Sequence, residues 1–268
     1  MMEAQLAPLN IARVVVALNR RLVGFKIDLV NRPSSMASVL ALTSKYNFNV
    51  LCSVVEALAP SDERASMLLI LDATEAFESP ERLMEELGKL PEVIGVRMAK
   101  PEIEGLFIDP FHFPVLIGVT RGMAYTCGTF ISMAERVRRE LGSAGEAILF
   151  YEGVAAGEAL DREWRPLLPG FSREQMLASM LRVLRSLGWL NGEVVEWDES
   201  KPEIVVRAYD LFECCLVERK DRPNSQFFRG LLSGLVSSLL RRDMVAVETL
   251  CVAKGDAFCE FVVKPKEA

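Results

Sequence analysis

"MVAVETLCVAKGDAFCEFVVK" occupies residues 244–264. Apolar and polar positions alternate on both sides of "KGD", a turn signal, and this pattern predicts a β-hairpin. On its first arm, Val245, Val247, Thr249, Cys251 and Ala253 share one face, and Ala246, Glu248, Leu250 and Val252 the other. A three-residue loop at 254–256 pairs 253 with 257 and therefore Cys251 with Cys259, with Cβ atoms ~5 Å apart. A two-residue loop would pair Val252 with Cys259 and separate the thiols. Two opposed thiolates can share a zinc ion. Glu248 lies on the other face of a regular strand and joins them only if a bulge near Thr249–Leu250 shifts the alternation. On spacing alone, two packed thiols and a surface acid is the simpler reading.

Upstream of the hairpin, 123–142, 147–160, 172–188 and 225–242 carry helical periodicity, while 192–199 and 203–217 read as strands. The first hundred residues differ. A helix is expected within 1–20, where Ile11, Val14, Val15 and Leu18 fall on one stripe behind Asn10. Strands follow at 21–31, 48–58, 65–74 and 92–100. They alternate with helices over 34–46, capped by Ser34 or Ser35, and 79–90, capped by Ser79. The order βαββαβ predicts a ferredoxin-like unit with two helices on one face of an antiparallel sheet. "PEIEGLFIDPFHFP" interrupts it, so the expected division is 1–20, 21–100, a linker at 101–113, and a second domain over 114–265. The class is α+β.

The bulk properties narrow the function. The chain has 268 residues, half of them apolar, with a net charge of −6. No basic footprint for nucleic acid or an anionic membrane is present, and no apolar run reaches the ~20 residues of a membrane helix. The N-terminus opens with an acid and lacks the marks of a signal peptide, so a cytoplasmic protein is expected. The single histidine, His112, excludes multi-histidine metal sites. Flanked by Phe111 and Phe113, it reads as a packed linker residue, and it is the one candidate base for a Ser-His or Cys-His nucleophile. The six cysteines read as thiols or metal ligands. Cys52 and Cys127 fall in apolar patterns and read as core, and the adjacent Cys214 and Cys215 point to opposite strand faces. Arg173, Arg182 and Arg185 lie on a polar helix face. Glu152 and Glu158 flank the glycines of the 147–160 helix and are candidates to line a cleft.

Glu-x2-Cys-x7-Cys around "KGD", followed by "FCEFVV", resembles the closing signature of the 4-vinyl reductase domain family. Its members include sensor domains of bacterial activators that respond to phenols, and its fold is shared more distantly with subunits of the TRAPP vesicle-tethering complex. The resemblance covers about 114–265 and includes "ILFYEGVAAGEAL", "LGWLNGEVVEWD" and the glycine pair of "FFRGLLSGL". Gly at i and i+4, in both Gly153/Gly157 and Gly230/Gly234, clears a groove for another backbone. In the phenol sensors the signature supplies three zinc ligands, which the resemblance carries onto Glu248, Cys251 and Cys259. The family's fourth ligand, a cysteine, is replaced here by Ser225. Cys214, Cys215 or water would then complete the shell.

Residues 21–100 resemble an ACT domain, a small-molecule-binding module of amino-acid metabolism, through the element order and "VNRPSSM" between first strand and first helix. The ACT corner usually reads Asp-x-Pro-Gly beside the effector. Here Asn31 and Ser34 replace its acid and glycine, and Asn31, Arg32, Pro33, Ser34, Ser35 and Met36 are the candidate ligand contacts. The same domain is read equally as a pairing module making homodimers.

Together these resemblances imply a non-catalytic small-molecule sensor or regulator. A small hydrophobic or aromatic molecule would sit in the second domain, near such side chains as Phe150, Tyr151, Trp189, Phe227 and Phe228, with an amino acid at the ACT-like corner and structural zinc at the hairpin. The alternatives are a reductase of a vinyl group on a tetrapyrrole, for which no nucleotide or flavin fingerprint is visible, and a TRAPP-like interaction scaffold.

Overall fold

The computed structural model describes residues 7–11, 13–57, 62–198 and 203–267. The chain divides into two compact units, 1–123 and 124–268.

Of the helix expected within 1–20, residues 1–6 and 12 lie outside the described residues, and Val14–Val16 forms strand β1 instead. Three consecutive β-branched side chains resist the helical χ1 restriction, and Asn19 turns the chain with a φ of 62°. There follow β2 (Leu22–Val30), α1 (Pro33–Lys45), β3 (Asn49–Glu56), β4 (Arg64–Asp72), α2 (Pro80–Leu87) and β5 (Val93–Ala99). This is the expected βαββαβ order. The strands pair antiparallel in the order β3-β4-β2-β5. Phe25, Ile27 and Leu29 of β2, with Met67, Leu69 and Leu71 of β4, bury against Val39 of α1 and Leu83 and Leu87 of α2. Ser79 caps α2, accepting from Arg82 N at 3.1 Å. Neither Ser34 nor Ser35 caps α1. The helix starts one residue earlier, at Pro33, whose fixed φ suits a first turn.

The segment expected to be a linker belongs to this unit. Leu106–Ile108 forms β6, which pairs with β1, and Val115–Ile117 and Thr120–Gly122 form a small hairpin, β7 and β8. Phe107 of β6 is buried with Leu22, Cys52, Leu68 and Ile70 on the sheet face that the helices leave open.

The second unit starts with α3 (Cys127–Trp164), capped by Thr126 and broken at Gly142, whose φ is 56°. It continues through α4 (Arg173–Ser186), β9 (Asn191–Asp198), β10 (Glu203–Tyr209), α5 (Gln226–Leu240), β11 (Met244–Leu250) and β12 (Cys259–Pro265). Ser172 and Gln175 form a reciprocal capping box at the start of α4. The sheet is antiparallel in the order β11-β12-β10-β9. The strand expected over 203–217 ends at Tyr209, because Asp210 adopts a left-handed φ of 50° and the chain then coils. Cys214 and Cys215 therefore lie outside the sheet.

α3 and α5 pack backbone to backbone through the two glycine pairs. A Cβ on Gly153 would lie 2.0 Å from the Phe227 carbonyl oxygen, and one on Gly157 2.1 Å from that of Leu231. The relation is reciprocal. A Cβ on Gly230 would lie 2.0 Å from the Phe150 carbonyl, and one on Gly234 2.1 Å from that of Val154. No side chain fits, so the groove inferred from the glycine spacing is filled by the partner helix itself. Gly157→Ala is therefore expected to destabilise the unit by about 2 kcal/mol or more, by overpacking against rigid backbone. Gly128→Ala, with open space around it, is expected to be neutral or slightly stabilising. Denaturant midpoints of the two variants check this.

Candidate metal centre

The hairpin seats its three candidate ligands in a way that plain alternation does not. β11 pairs with β12 in register as far as Glu248 opposite Phe261, and the next pair is Leu250 with Glu260. Thr249 is thus an inserted residue, a β-bulge. Before it, Met244, Ala246 and Glu248 face inward, and after it Cys251 does. The bulge required to bring Glu248 to the side of Cys251 is present.

The connection is longer than the three-residue loop expected at 254–256. It runs from Cys251 to Phe258 and contains a 3-10 turn at Val252–Lys254, closed by Gly255 at φ 104°. The Asp256 carboxylate causes this by accepting from Cys251 N at 2.8 Å, while Cys251 O accepts from Lys254 N and Asp256 N at 2.9 and 3.2 Å. Val252 N donates to Cys259 Sγ at 3.4 Å, so both sulfurs remain at the mouth of the ribbon, fully buried.

Cys214 comes from the coil after β10. Its neighbour Glu213 holds that coil in place. The Glu213 carboxylate accepts from Phe227 N at 3.1 Å and Phe228 N at 2.9 Å, satisfying free amides of the first turn of α5. It is also paired with Arg138 of α3 at 2.8 Å, and the Asn224 side chain donates to Glu213 O at 2.8 Å. Burial pushes the Glu213 carboxyl above its ordinary value, against the pull of the Phe228 amide and Arg138.

Cys214, Glu248, Cys251 and Cys259 each offer a ligand atom within 4.8 Å of the others, and all four are buried. Ser225 hydrogen-bonds the acid. Its backbone N–H donates to Glu248 Oε2 at 3.1 Å and its hydroxyl to Oε1 at 2.8 Å. Its Oγ also lies 3.1 Å from Cys214 Sγ. Cys215 lies outside the group, exposed, with its thiol 3.6 Å from Phe212 O. Burial, reinforced by Cys251, pushes Glu248 up to about 8. Hydrogen bonding with Cys251 pushes Cys214 up to about 12. Cys251 is held well below the usual thiol range, because Cys214 and then Cys259 hydrogen-bond to its thiolate.

The donor set suits a zinc-like cation. Tetrahedral Zn–S bonds of ~2.3 Å imply sulfurs about 3.8 Å apart. Cys214 Sγ and Cys251 Sγ are 3.7 Å apart.

The other candidate residues are elsewhere. Asn31, Arg32, Pro33, Ser34 and Met36 are exposed at the β2–α1 corner, where the Asn31 amide donates to Asp62 O at 2.8 Å. Ser35 is turned inward, donating to Val30 O at 2.6 Å. Glu152, Glu158 and Tyr151 are exposed. Phe228 is buried edge-on to Phe261, with centroids 5.2 Å apart. Phe227 and Trp189 join Phe130 and Phe212 in an aromatic cluster.

Comparison with known proteins identifies the domain that carries these residues. Residues 204–265 match the 4-vinyl reductase domain. An uncharacterized protein of Methanocaldococcus jannaschii, MJ0150, is 30% identical over 139 residues, which cover 50% of this chain and 75% of that protein. The chain belongs to the 4-vinyl reductase domain family. Among solved structures, the phenol-responsive sensory domain of the transcription activator PoxR, with phenol, is similar at 17% identity and a TM-score of 0.49. The match covers 56% of this chain and 79% of that one. The ACT domain of a GTP pyrophosphokinase from Chlorobium tepidum is similar at 20% identity and a TM-score of 0.26, over 30% of this chain and 100% of that one. None of the described helices is long and apolar enough to cross a membrane.

Glu213 carried no signal in the sequence beyond an acid beside a cysteine. Its replacement by Ala leaves the Arg138 guanidinium short of its partner and α5 without its cap. A loss of about 3 kcal/mol is expected in chemical denaturation, because a buried charge is left partly unpaired, with a smaller loss for Glu213→Gln.

Proposed function

We propose that this chain is a non-catalytic regulatory protein whose 4-vinyl reductase-type domain is pinned by a structural zinc ion and receives a small apolar or aromatic ligand. One observation carries the reading. Four buried ligand atoms from three separate segments lie within 4.8 Å of one another. Cys214, Glu248, Cys251 and Cys259 would hold the ion, and its chemistry there is to cross-link the coil after β10 to the terminal ribbon. A donor set of four protein ligands leaves no position for an activated water, which is the mark of structural rather than catalytic zinc. Ser225 acts one step out, orienting both oxygens of Glu248.

The ligand half of the reading rests on the aromatic cluster. Phe130, Phe227 and Trp189 are only partly buried, and their rings meet Phe212 at centroid distances of 4.8, 6.2 and 5.1 Å. Phe212 is two residues from Cys214 and Phe227 two residues from Ser225. An aromatic guest wedged between these rings would displace both segments that position the metal ligands.

Purified protein is expected to contain about one equivalent of zinc by elemental analysis, falling to background in Cys214→Ser and Cys259→Ser and unchanged in Cys215→Ser. Full occupancy in Cys259→Ser would rule out the ligand set. A chelator is expected to lower the melting temperature, since the ion binds only the folded chain. Under the ligand half of the proposal, simple phenols at saturating concentration raise the melting temperature and quench Trp189 fluorescence. A panel of aromatics that shifts neither would overturn it.

A further inference from the structure

The first unit holds a cavity of about 380 Å³ on the sheet face opposite its helices, within the size range of small-molecule sites. Its walls are apolar, with Ile11, Val54, Leu68, Phe111, Val115 and Leu116 among them. Five polar side chains, Arg13, Glu56, Ser66, Asp109 and His112, share it.

Their hydrogen bonding is uneven. The Asp109 carboxylate, 1% exposed, is fully engaged. It accepts from Phe111 N at 2.9 Å, from Arg13 Nη2 at 2.8 Å and from His112 Nδ1 at 2.9 Å. Arg13 also donates to the His112 carbonyl. This brace neutralises the acid and orients the only imidazole in the chain. With Nδ1 paired to the Asp109 carboxylate, Nε2 is the ring nitrogen left for another partner, and in the neutral ring it accepts. The Ser66 hydroxyl on β4 lines the same cavity, buried and without a hydrogen-bond partner among the described residues. A buried hydroxyl left unpaired is unfavourable and calls for an explanation such as an absent ligand. Glu56 on β3 is exposed and makes no ion pair with any described residue.

We infer that this cavity is a binding site for a small apolar molecule bearing one hydrogen-bond-donating head group, a hydroxyl or an amine. The body lies on the apolar walls, and the head reaches His112, Ser66 and Glu56. His112 Nε2 and Glu56 are acceptors, and Ser66 can give or take a proton, so the site is complementary to a donor. It opposes a carboxylate, which would face Glu56 and an imidazole lone pair.

The test uses three probes with one apolar body: 2-phenylethanol, 2-phenylethylamine and phenylacetate, titrated into the full chain. Because His112 is the only histidine, its imidazole NMR signals report on the cavity without assignment. The alcohol and the amine are expected to shift those signals saturably, and phenylacetate is not. Ser66→Val, which removes the hydroxyl but suits a strand, should weaken the alcohol by about fivefold, the worth of one hydrogen bond. Glu56→Gln, at an exposed position, should weaken the amine and spare the alcohol. It decides the matter alone if Ser66→Val does not fold. Absence of a saturable shift, equal binding of phenylacetate, or indifference to both substitutions overturns the inference. Zinc content is independent of every outcome.

Discussion

A single inserted residue, Thr249, sets the geometry on which the candidate metal centre depends. Without it, β11 would continue its alternation and Glu248 would face away from Cys251. With it, Glu248 and Cys251 turn to the same buried side. The exposed Thr249 hydroxyl donates across the ribbon to Glu260 O and Oε1 at 3.2 and 3.1 Å, which ties the bulged residue to the neighbouring strand. Bulges commonly serve this purpose, re-aiming one side chain at the cost of a ladder hydrogen bond.

The rest of the second unit supports that alignment from two sides. Phe228 of α5 packs on Phe261 of β12, fixing the helix over the strand that carries Cys259. Glu213, held by Arg138 and by the first amides of α5, fixes the coil that carries Cys214. Arg138, which pairs with Glu213, comes from the part of α3 before the break at Gly142, and the glycine contacts with α5 come from the part after it. The site is therefore a consequence of helix packing as much as of the hairpin signature.

Much of this was legible in the residues. The βαββαβ order followed from alternating periodicities and from Ser79-Pro80, a strong helix start. The two glycine pairs announced a close backbone approach, and Glu248, Cys251 and Cys259 were visible as a spacing. Other features were not legible, for physical reasons. Val14–Val16 sits in a stretch with helical periodicity, but its fate was decided by pairing with the distant strand Leu106–Ile108, which no local pattern reveals. Cys214 stood in the sequence only as one of three ways to complete the shell, beside Cys215 and water, because "EIVVRAYDLFECCLV" reads as one long strand, and the left-handed turn at Asp210 is what releases the cysteine from the sheet. The loop at 251–258 depended on a side-chain hydrogen bond from Cys251 N to Asp256, a contact that outweighs the turn preference of "KGD". The Asp109–His112 brace was missed because the Pro-rich segment around it looked like a linker.

In the proposed centre, three sulfurs and one carboxylate oxygen surround a single ion. X-ray absorption at the zinc edge of the purified full chain tests it most directly. The predicted result is a four-coordinate shell of three sulfurs at about 2.3 Å and one oxygen at about 2.0–2.2 Å. A shell with two or fewer sulfurs, a six-coordinate oxygen and nitrogen environment, or protein that holds no zinc would contradict it.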